Sequence, residues 1–133
     1  MRLSLPADRR SAQGRRNHRA GLWAEHAVER LYRAAGAEIL DRRLRIGGGE
    51  LDLIALEGDV LVFVEVKKRR HQGADSPVSA AQWRRLEQAA SQFMLDHTEK
   101  TGRACRARFD VVLMDDAARP TVIRNARGFE QQY

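Results

Sequence analysis

Apolar residues recur along this chain with two different periods, which predict where helices and strands alternate. Two segments show the three-to-four-residue period of an amphipathic helix. The first begins near Asn17 and is expected to end at Gly36, a residue type that suits a left-handed helix end. The second follows Ser79, a good N-cap, and runs to about Lys100 before Gly102. The expected buried positions are Leu22, Trp23, Ala27, Val28, Leu31 and Ala35 in the first helix and Trp83, Leu86, Ala89, Ala90, Phe93 and Met94 in the second.

The remaining apolar segments are strand-like. The second and third of them are strongly apolar and are joined by Glu57-Gly58-Asp59, whereas the first alternates imperfectly. A long helix between the third and fourth strands indicates a crossover, so at least one strand pair is expected to be parallel. The fold class is therefore α/β, with a central mixed sheet of four to five strands flanked by helices. The predicted strands are Glu38–Ile46, Leu51–Leu56, Val60–Val66, Phe109–Met114 and a short Val122–Ile123.

Length and charge divide the chain into two parts. The 133 residues suit one compact domain, expected over residues 17–133, preceded by a basic and disordered leader over residues 1–16. Residues 1–20 hold six Arg and one acid, a charge of +5, whereas the other 113 residues hold 18 basic and 17 acidic groups, a charge of +1. Such a leader either attracts phosphate backbones or is simply a solvated tail.

Composition also limits the cellular compartment and the kinds of site that are expected for this protein. One cysteine, Cys105, excludes an internal disulfide and a cysteine-rich zinc site, which favours the reducing cytoplasm. No apolar run approaches the roughly 18 residues of a membrane span, so no membrane association is expected. The four histidines lack zinc-protease or HNH-nuclease spacing, and Gly47-Gly48-Gly49 lacks the Lys-Ser/Thr of a phosphate loop.

The hairpin from Glu50 to Lys67 carries the most information about chemistry. A two-residue turn at Gly58-Asp59, with Gly in the first position of a type II′ turn, pairs residues whose numbers sum to 117. One face is then wholly apolar and should be buried under a helix. The other face is apolar near the turn and charged at the far end. The predicted pairs are Leu51 with Val66, Leu53 with Val64 and Ala55 with Val62 on the first face, and Leu56 with Leu61, Ile54 with Phe63, Asp52 with Glu65 and Glu50 with Lys67 on the second.

The predicted pairing of Asp52 with Glu65 is the anomaly. Directly opposed side chains have Cβ atoms about 4.5–5.5 Å apart, and like charges there destabilise a sheet. Two carboxylates at that separation can share one hard divalent cation, and Lys67 lies within reach of the same ligand. The alternative is a solvated strand face with cross-strand salt bridges, which Glu50 opposite Lys67 fits well.

An Asp at a strand end followed by Glu-x-Lys on the next strand resembles the PD-(D/E)XK nuclease core, with Asp52, Glu65 and Lys67 as its signature. The blocks Gly21-x-x-x-Glu25, GGGELDLIA, VFVEVKKRR, a helix beginning near Gln82 and RFDVV extend the match. In this order, from about residue 21 to 129, they resemble the YraN-like family of uncharacterised bacterial proteins. That family is considered similar to archaeal Holliday junction resolvases.

The resemblance implies a restriction-endonuclease-like fold and a Mg²⁺- or Mn²⁺-dependent phosphodiesterase site. It implies Glu25 as a further acid near the metal and Gln82 as an auxiliary residue. It also suggests a homodimer, since resolvases act as dimers. From the residues alone, Glu25 is equally a surface helix acid, with Glu29 as available as Glu25, and Gln82 is equally an ordinary residue at a helix start. Ala81 stands where relatives often carry Lys.

The resulting hypothesis is a metal-dependent endonuclease acting on nucleic acid, with DNA, including branched DNA, as the expected partner. Asp52 and Glu65 would bind the metal with the Val66 carbonyl as a third ligand, and Lys67 would act on the attacking water or the developing charge. Lys68, Arg69 and Arg70 either contact backbone phosphates or solvate a loop, as do Arg84 and Arg85. The alternative function is a nucleic-acid-binding module with a vestigial nuclease site.

Overall fold

The computed structural model describes residues 23–68, 78–127 and 131–132. The predicted leader, residues 1–16, and the predicted start of the first helix lie outside the described residues. In chain order the elements are α1 (residues 23–34), β1 (Glu38–Ile46), β2 (Gly49–Glu57), β3 (Val60–Lys68), α2 (Ala80–Thr101), β4 (Arg106–Met114), β5 (Pro120–Ile123) and β6 (Gln131–Gln132).

The strands form one mixed sheet in the order β1-β2-β3-β4-β5, and the two-residue β6 pairs with β4. Strands β3 and β4 are parallel, joined by the crossover through α2, and the other pairs are antiparallel. Strand β3 is buried without interruption from Leu61 to Glu65, as expected for a central strand covered on both faces. The predicted α/β class is confirmed, and the arrangement is consistent with a restriction-endonuclease-like fold.

The two helices cover opposite faces of the sheet. Helix α2 begins after Ser79, whose Oγ accepts the Gln82 N–H at 3.1 Å, and it ends at Gly102 in the left-handed conformation. Its buried residues are Trp83, Leu86, Ala89, Ala90 and Met94, with Phe93 partly buried, as predicted. Neither helix in the described part of the chain is long and apolar enough to cross a membrane.

The buried stripe of helix α1 matches the predicted one in part: Val28 is buried and Ala27 and Leu31 pack beside it, whereas Ala35 is exposed and Leu22 lies outside the described residues. Ala24, Val28 and Tyr32, spaced four residues apart, are buried against the sheet face formed by β2, β3 and β4. Trp23 was expected in the core but is 71% exposed, because it lies off this stripe. Tyr32 was not among the predicted core residues, because its side chain carries a polar hydroxyl group.

Tyr32 reaches the core because its hydroxyl has a buried partner. It donates to Asp110 Oδ2 at 2.6 Å, and Asp110 on β4 is 1% exposed. The Asp110 carboxylate also accepts from the Arg108 guanidinium at 2.9 and 3.2 Å and from the Asn125 N–H at 3.0 Å. Burial and the Asp110 carboxylate raise the pKa of the Tyr32 phenol. These contacts join α1 to β4 and to the segment after β5.

The predicted hairpin register is confirmed over its turn-proximal half. Five pairs, from Glu57 with Val60 to Leu53 with Val64, have residue numbers that sum to 117. Gly58 has φ +63°, as the first position of a type II′ turn requires. Both faces of this half are buried, one under each helix. The sequence pattern and the turn chemistry therefore predicted this pairing correctly.

The predicted assignment of residues to the two faces of the hairpin is wrong from Leu53 toward the start of β2. Leu51 was expected beside Leu53, yet it packs in the cluster under α2 while Leu53 packs in the cluster under α1. The change of face coincides with an irregularity on the neighbouring strand β1, where Arg43 has φ +51°. The β1–β2 ladder pairs Leu44 with Leu51 and Arg42 with Leu53 but contains no pair of Arg43 with Asp52. Both strands change face at this point.

Candidate active site

The candidate site lies at the end of the β2–β3 hairpin that is remote from its turn. The β2–β3 ladder stops at Leu53 with Val64, although β2 begins at Gly49 and β3 continues to Lys68. Beyond this point the Val66 N–H donates to Asp52 Oδ2 at 2.9 Å. The backbone N–H of Val66 on β3 thus donates to the Asp52 carboxylate, where a regular ladder would offer a backbone carbonyl of β2. The predicted ladder pair of Asp52 with Glu65 is therefore corrected, because the side chain of Asp52 bridges the strands.

Asp52 and Glu65 nevertheless meet through their side chains. Glu65 is 8% exposed and Asp52 is half-buried, and each of the two carboxyl groups shifts the pKa of the other. Burial raises the pKa of Asp52, and burial together with the Asp52 charge raises the pKa of Glu65 to about 8. Two buried carboxyl groups that interact so strongly repel each other when both are charged. Without a cation, the pair therefore holds a proton at neutral pH.

Two further predicted residues converge on the same oxygen of Glu65. The Lys67 ammonium Nζ lies 3.7 Å from Glu65 Oε1, and the Gln82 amide Nε2 lies 3.4 Å from it. Gln82 reaches the sheet because the Ser79 cap fixes the first turn of α2 beside β3. The side chain of Lys67 is 30% exposed, so its ammonium can reach both the buried pair and a ligand from solvent.

Glu25 lies near this group but is bound to another partner. Its Oε2 accepts from Arg43 Nε at 2.6 Å, and its negative charge contributes to the raised pKa of Asp52. Glu29, the alternative acid one helical turn later, forms salt bridges with Arg33 and Arg42 instead. A metal-binding role for Glu25 stays a prediction, since in this structure Arg43 neutralises its carboxylate.

The oxygen atoms at this site are of the type that a hard divalent cation prefers, but only a few side chains supply them. Within residues 23–68 and 78–127, no group of three or more Asp, Glu, His or Cys side chains is arranged to hold a metal ion. The carboxylates of Asp52 and Glu65 remain, with the Val66 carbonyl as the predicted third donor. Oxygen donors suit Mg²⁺ or Mn²⁺, and one cation between the carboxylates would take the place of the shared proton.

The other charged residues predicted near the site have varied positions. Lys68 is exposed at the end of β3, while Arg69 and Arg70 lie outside the described residues. Glu50 was expected to pair with Lys67, but its carboxylate lies 3.9 Å from Arg45 Nε. The reason is that Glu50 and Arg45 are ladder partners on β1 and β2, whereas the β2–β3 ladder has already ended.

Arg43 is the site residue that sequence reasoning missed. It holds Glu25, and it stands at the point where β1 and β2 change face. The imperfect alternation of β1 was the one available signal. That alternation reflects a register shift between Ile39 and Asp41 as well as the left-handed backbone of Arg43. A non-glycine residue in that conformation has no signature in a single sequence.

Comparison with known proteins adds the family. The model of the uncharacterised protein family UPF0102 matches residues 24–114. The chain belongs to the UPF0102 family. A UPF0102 protein of Cereibacter sphaeroides is 42% identical over 114 residues, covering 85% of this chain and 96% of the relative. One of Ruegeria pomeroyi is 42% identical over 120 residues, covering 89% and 95%. One of Rhodococcus jostii is 46% identical over 96 residues, covering 69% and 78%.

The predicted YraN-like membership is thereby confirmed, since UPF0102 is that family. The matched residues 24–114 of this UPF0102 protein include Asp52, Glu65, Lys67, Gln82 and Glu25. The relationship to archaeal resolvases stays a prediction.

The raised pKa of Glu65 makes the stability of this UPF0102 protein depend on pH. Between the ordinary value of 4.5 and about 8, the folded protein keeps a proton that the unfolded chain has released. Stability from this group is therefore fully present below pH 4.5 and is lost as pH rises to about 8. Urea denaturation in EDTA should show the free energy of unfolding falling by at most about 1.4 kcal/mol per pH unit.

The control for this slope is a glutamate that is exposed and remote from the site. Glu99, near the end of α2, provides it. Glu65→Gln should flatten the slope because its amide does not titrate, and Glu99→Gln should keep it. Equal slopes in wild type and Glu65→Gln would show that another group dominates.

Proposed function

We propose that this protein is a metal-dependent endonuclease that hydrolyses phosphodiester bonds in nucleic acid, with DNA as the substrate. The observation that carries the proposal is the buried pair of Asp52 and Glu65, with the Lys67 ammonium 3.7 Å from Glu65 Oε1. Burying two carboxyl groups side by side costs stability unless a ligand uses them. Raised pKa values at such a cluster are typical of functional sites.

The metal would be held by Asp52 and Glu65, with the Val66 carbonyl as a further donor. When bound, a Mg²⁺ or Mn²⁺ ion lowers the pKa of a coordinated water and neutralises charge on phosphate oxygens. Glu25 is the proposed additional acid, and its use would require Arg43 to release it.

The protein groups around the carboxylates have separate proposed roles. The Lys67 ammonium can donate hydrogen bonds to a water or to a phosphate oxygen while it remains beside Glu65. The Gln82 amide donates to Glu65 Oε1 and so fixes the rotamer of that carboxylate. Gln82 is thus proposed as a positioning residue, and Lys67 as the group that contacts the reacting phosphate or its nucleophile.

The test is cleavage by the purified full chain of linear, flapped and four-way DNA with Mg²⁺, with Mn²⁺ and with EDTA. We expect cleavage only with a metal, and loss of cleavage in Asp52→Asn. Asp116→Asn is the matched control, because Asp116 is an exposed aspartate in the turn after β4. If wild type and Asp52→Asn leave every substrate equally intact, the enzyme proposal fails.

The second candidate is a nucleic-acid-binding module whose nuclease site is vestigial. The observation that favours it is that Arg43 neutralises Glu25, and that no group of three or more Asp, Glu, His or Cys side chains among the described residues is arranged to hold a metal ion. This candidate predicts tight DNA binding with no cleavage under any metal. Tight binding and cleavage abolished by Asp52→Asn would exclude it.

Assembly and location are also proposals. The resemblance to resolvases suggests a homodimer, and a single free cysteine, the buried Cys105, suits the reducing cytoplasm. Sedimentation equilibrium of the full chain tests the first, since a monomer at high micromolar concentration would contradict it.

A further inference from the structure

A cavity lies beside the candidate active site, between the β1–β2 turn and helix α2. Its volume is about 520 Å³, and its lining includes Gly47, Gly48, Gly49, Arg45, Glu50 and Arg85. None of these residues belongs to the carboxylate pair. The cavity is open on one side, so a chain-like ligand could cross it.

The glycines make this cavity possible. Gly47 and Gly48 have φ of +59° and +83°, and a Cβ on Gly49 would lie 2.6 Å from the carbonyl oxygen of Arg85. A Cβ on Gly47 would lie 3.0 Å from the Gln88 carbonyl oxygen. The turn therefore rests directly on the backbone of α2. With no side chains at these positions, the space beside the turn stays unfilled.

The cavity is lined by two arginines, which form few ion pairs with other described residues. The side chain of Arg45 is 87% exposed, and its one ion pair with another described residue, Glu50, is long at 3.9 Å. Arg85 is exposed, and no ion pair of Arg85 occurs within residues 23–68 and 78–127. The residues that line the cavity thus include two arginines and one acid, Glu50. The planar fork of a guanidinium matches phosphate oxygens in geometry and charge.

The cavity and the carboxylate pair are neighbours on both elements that form them. On β2, Glu50 precedes Asp52 by two residues. On α2, Arg85 follows Gln82 by three residues, which places them on the same side of the helix one turn apart. Gln82 itself contacts Glu65. A strand whose phosphate lies at Glu65 and Lys67 and which follows α2 would therefore pass Arg85 and the cavity that Arg45 also lines.

We propose that this cavity is a backbone-phosphate subsite, in which Arg45 and Arg85 bind a phosphodiester of the nucleic acid strand next to the phosphate at the carboxylate pair. The inference rests on the proposed function for its substrate class and adds two binding residues and a direction for the strand. Phosphate contacts of this kind set the position of the strand and do not read its sequence.

The test is binding of a fluorescent four-way DNA to the full chain in EDTA, where cleavage cannot occur. We expect the double variant Arg45→Gln and Arg85→Gln to bind about tenfold more weakly at about 0.15 M salt. The slope of log affinity against log salt should shrink by about 0.9, since the double variant loses its contact with one phosphate. Circular dichroism confirms that the exposed substitutions leave the fold intact.

Arg103→Gln is the matched control. Arg103 is an exposed arginine just beyond the C-terminal end of α2, about 27 Å along the helix from Arg85. We expect less than a twofold change in its affinity, because it is remote from the cavity. Equal losses of DNA affinity in Arg103→Gln and in the double variant would show that only the net charge of the protein matters. That result would overturn the proposed subsite. An unchanged affinity and slope in the double variant, or no DNA binding by the wild type, would overturn it as well.

Free phosphate is the other source of the same ligand chemistry. Amide signals of Gly47, Gly48 and Gly49 in NMR spectra can be followed during titration with an oligonucleotide and with inorganic phosphate at matched ionic strength. We expect the oligonucleotide to saturate the shifts at about a hundredfold lower concentration, because a polyanion releases counterions along its length. Equal saturation by inorganic phosphate would overturn the assignment to a nucleic acid strand. Binding that depends on Arg45 and Arg85 without any cleavage would leave the subsite standing while the endonuclease proposal fails.

Discussion

Glu65→Gln is expected to lower metal-dependent DNA cleavage by about a hundredfold or more, while the metal-free protein becomes more stable. The amide keeps the size and the hydrogen bonds of the side chain but removes its charge. Gln82 can still donate to the oxygen at position 65, and the new amide N–H₂ can donate to Asp52. The cation, in contrast, loses one of its two carboxylate donors.

The gain in stability has a physical source in the carboxylate pair. At about pH 8 the wild-type pair is close to losing its shared proton, and two buried negative charges then face each other. Removing one of them should raise the free energy of unfolding by about 1–2 kcal/mol. Urea denaturation in EDTA measures this, and single-turnover cleavage with Mn²⁺ measures activity.

Measuring both stability and cleavage distinguishes loss of function from loss of folding. A variant that loses cleavage because it unfolds would lose stability too, so opposite changes identify a functional carboxylate. Glu99→Gln should change neither quantity, because Glu99 is exposed near the end of α2. If Glu65→Gln cleaves DNA at the wild-type rate, Glu65 does not hold a catalytic metal.

Asp110→Ala is expected to lower the free energy of unfolding by about 3–5 kcal/mol, the largest stability effect predicted for this protein. Asp110 is 1% exposed and accepts hydrogen bonds from Tyr32, Arg108 and the Asn125 backbone. The alanine variant leaves a buried hydroxyl and one side of a guanidinium without a partner. Such orphaned groups carry most of the penalty.

Thermal and urea denaturation of Asp110→Ala measure this loss, with Asp116→Ala as the exposed aspartate control at less than about 0.5 kcal/mol. Tyr32→Phe removes a single donor and should cost about 1–2 kcal/mol, because Asp110 keeps its other partners. A loss in Asp110→Ala no larger than that of Tyr32→Phe would show that Arg108 re-forms its contacts, since it also lies 3.1 Å from Glu57.

Much of the fold was predictable because local rules and the hydrophobic pattern agree in this chain. The bounds of α2, its Ser79 cap and its Gly102 end follow from the apolar period and the capping chemistry. The hairpin register follows from Gly58 and from two faces that must both be buried. The exposure of Trp23 was not predictable, because amphipathic spacing allows more than one stripe and the sheet selects one.

For the candidate site, the sequence by itself determined which residues could act together. The numbers 52, 65 and 67 follow from the turn at Gly58-Asp59 and from strand periodicity, and both are local properties. Only the tertiary structure decided how they meet. Asp52 bonds to the Val66 N–H, since β2 and β1 change face at Arg43, and Arg43 holds Glu25. Those arrangements depend on contacts between residues 14 and 18 positions apart in the chain, which lie on four different elements. No single-sequence period encodes them, because each is the outcome of packing two helices on opposite faces of one sheet.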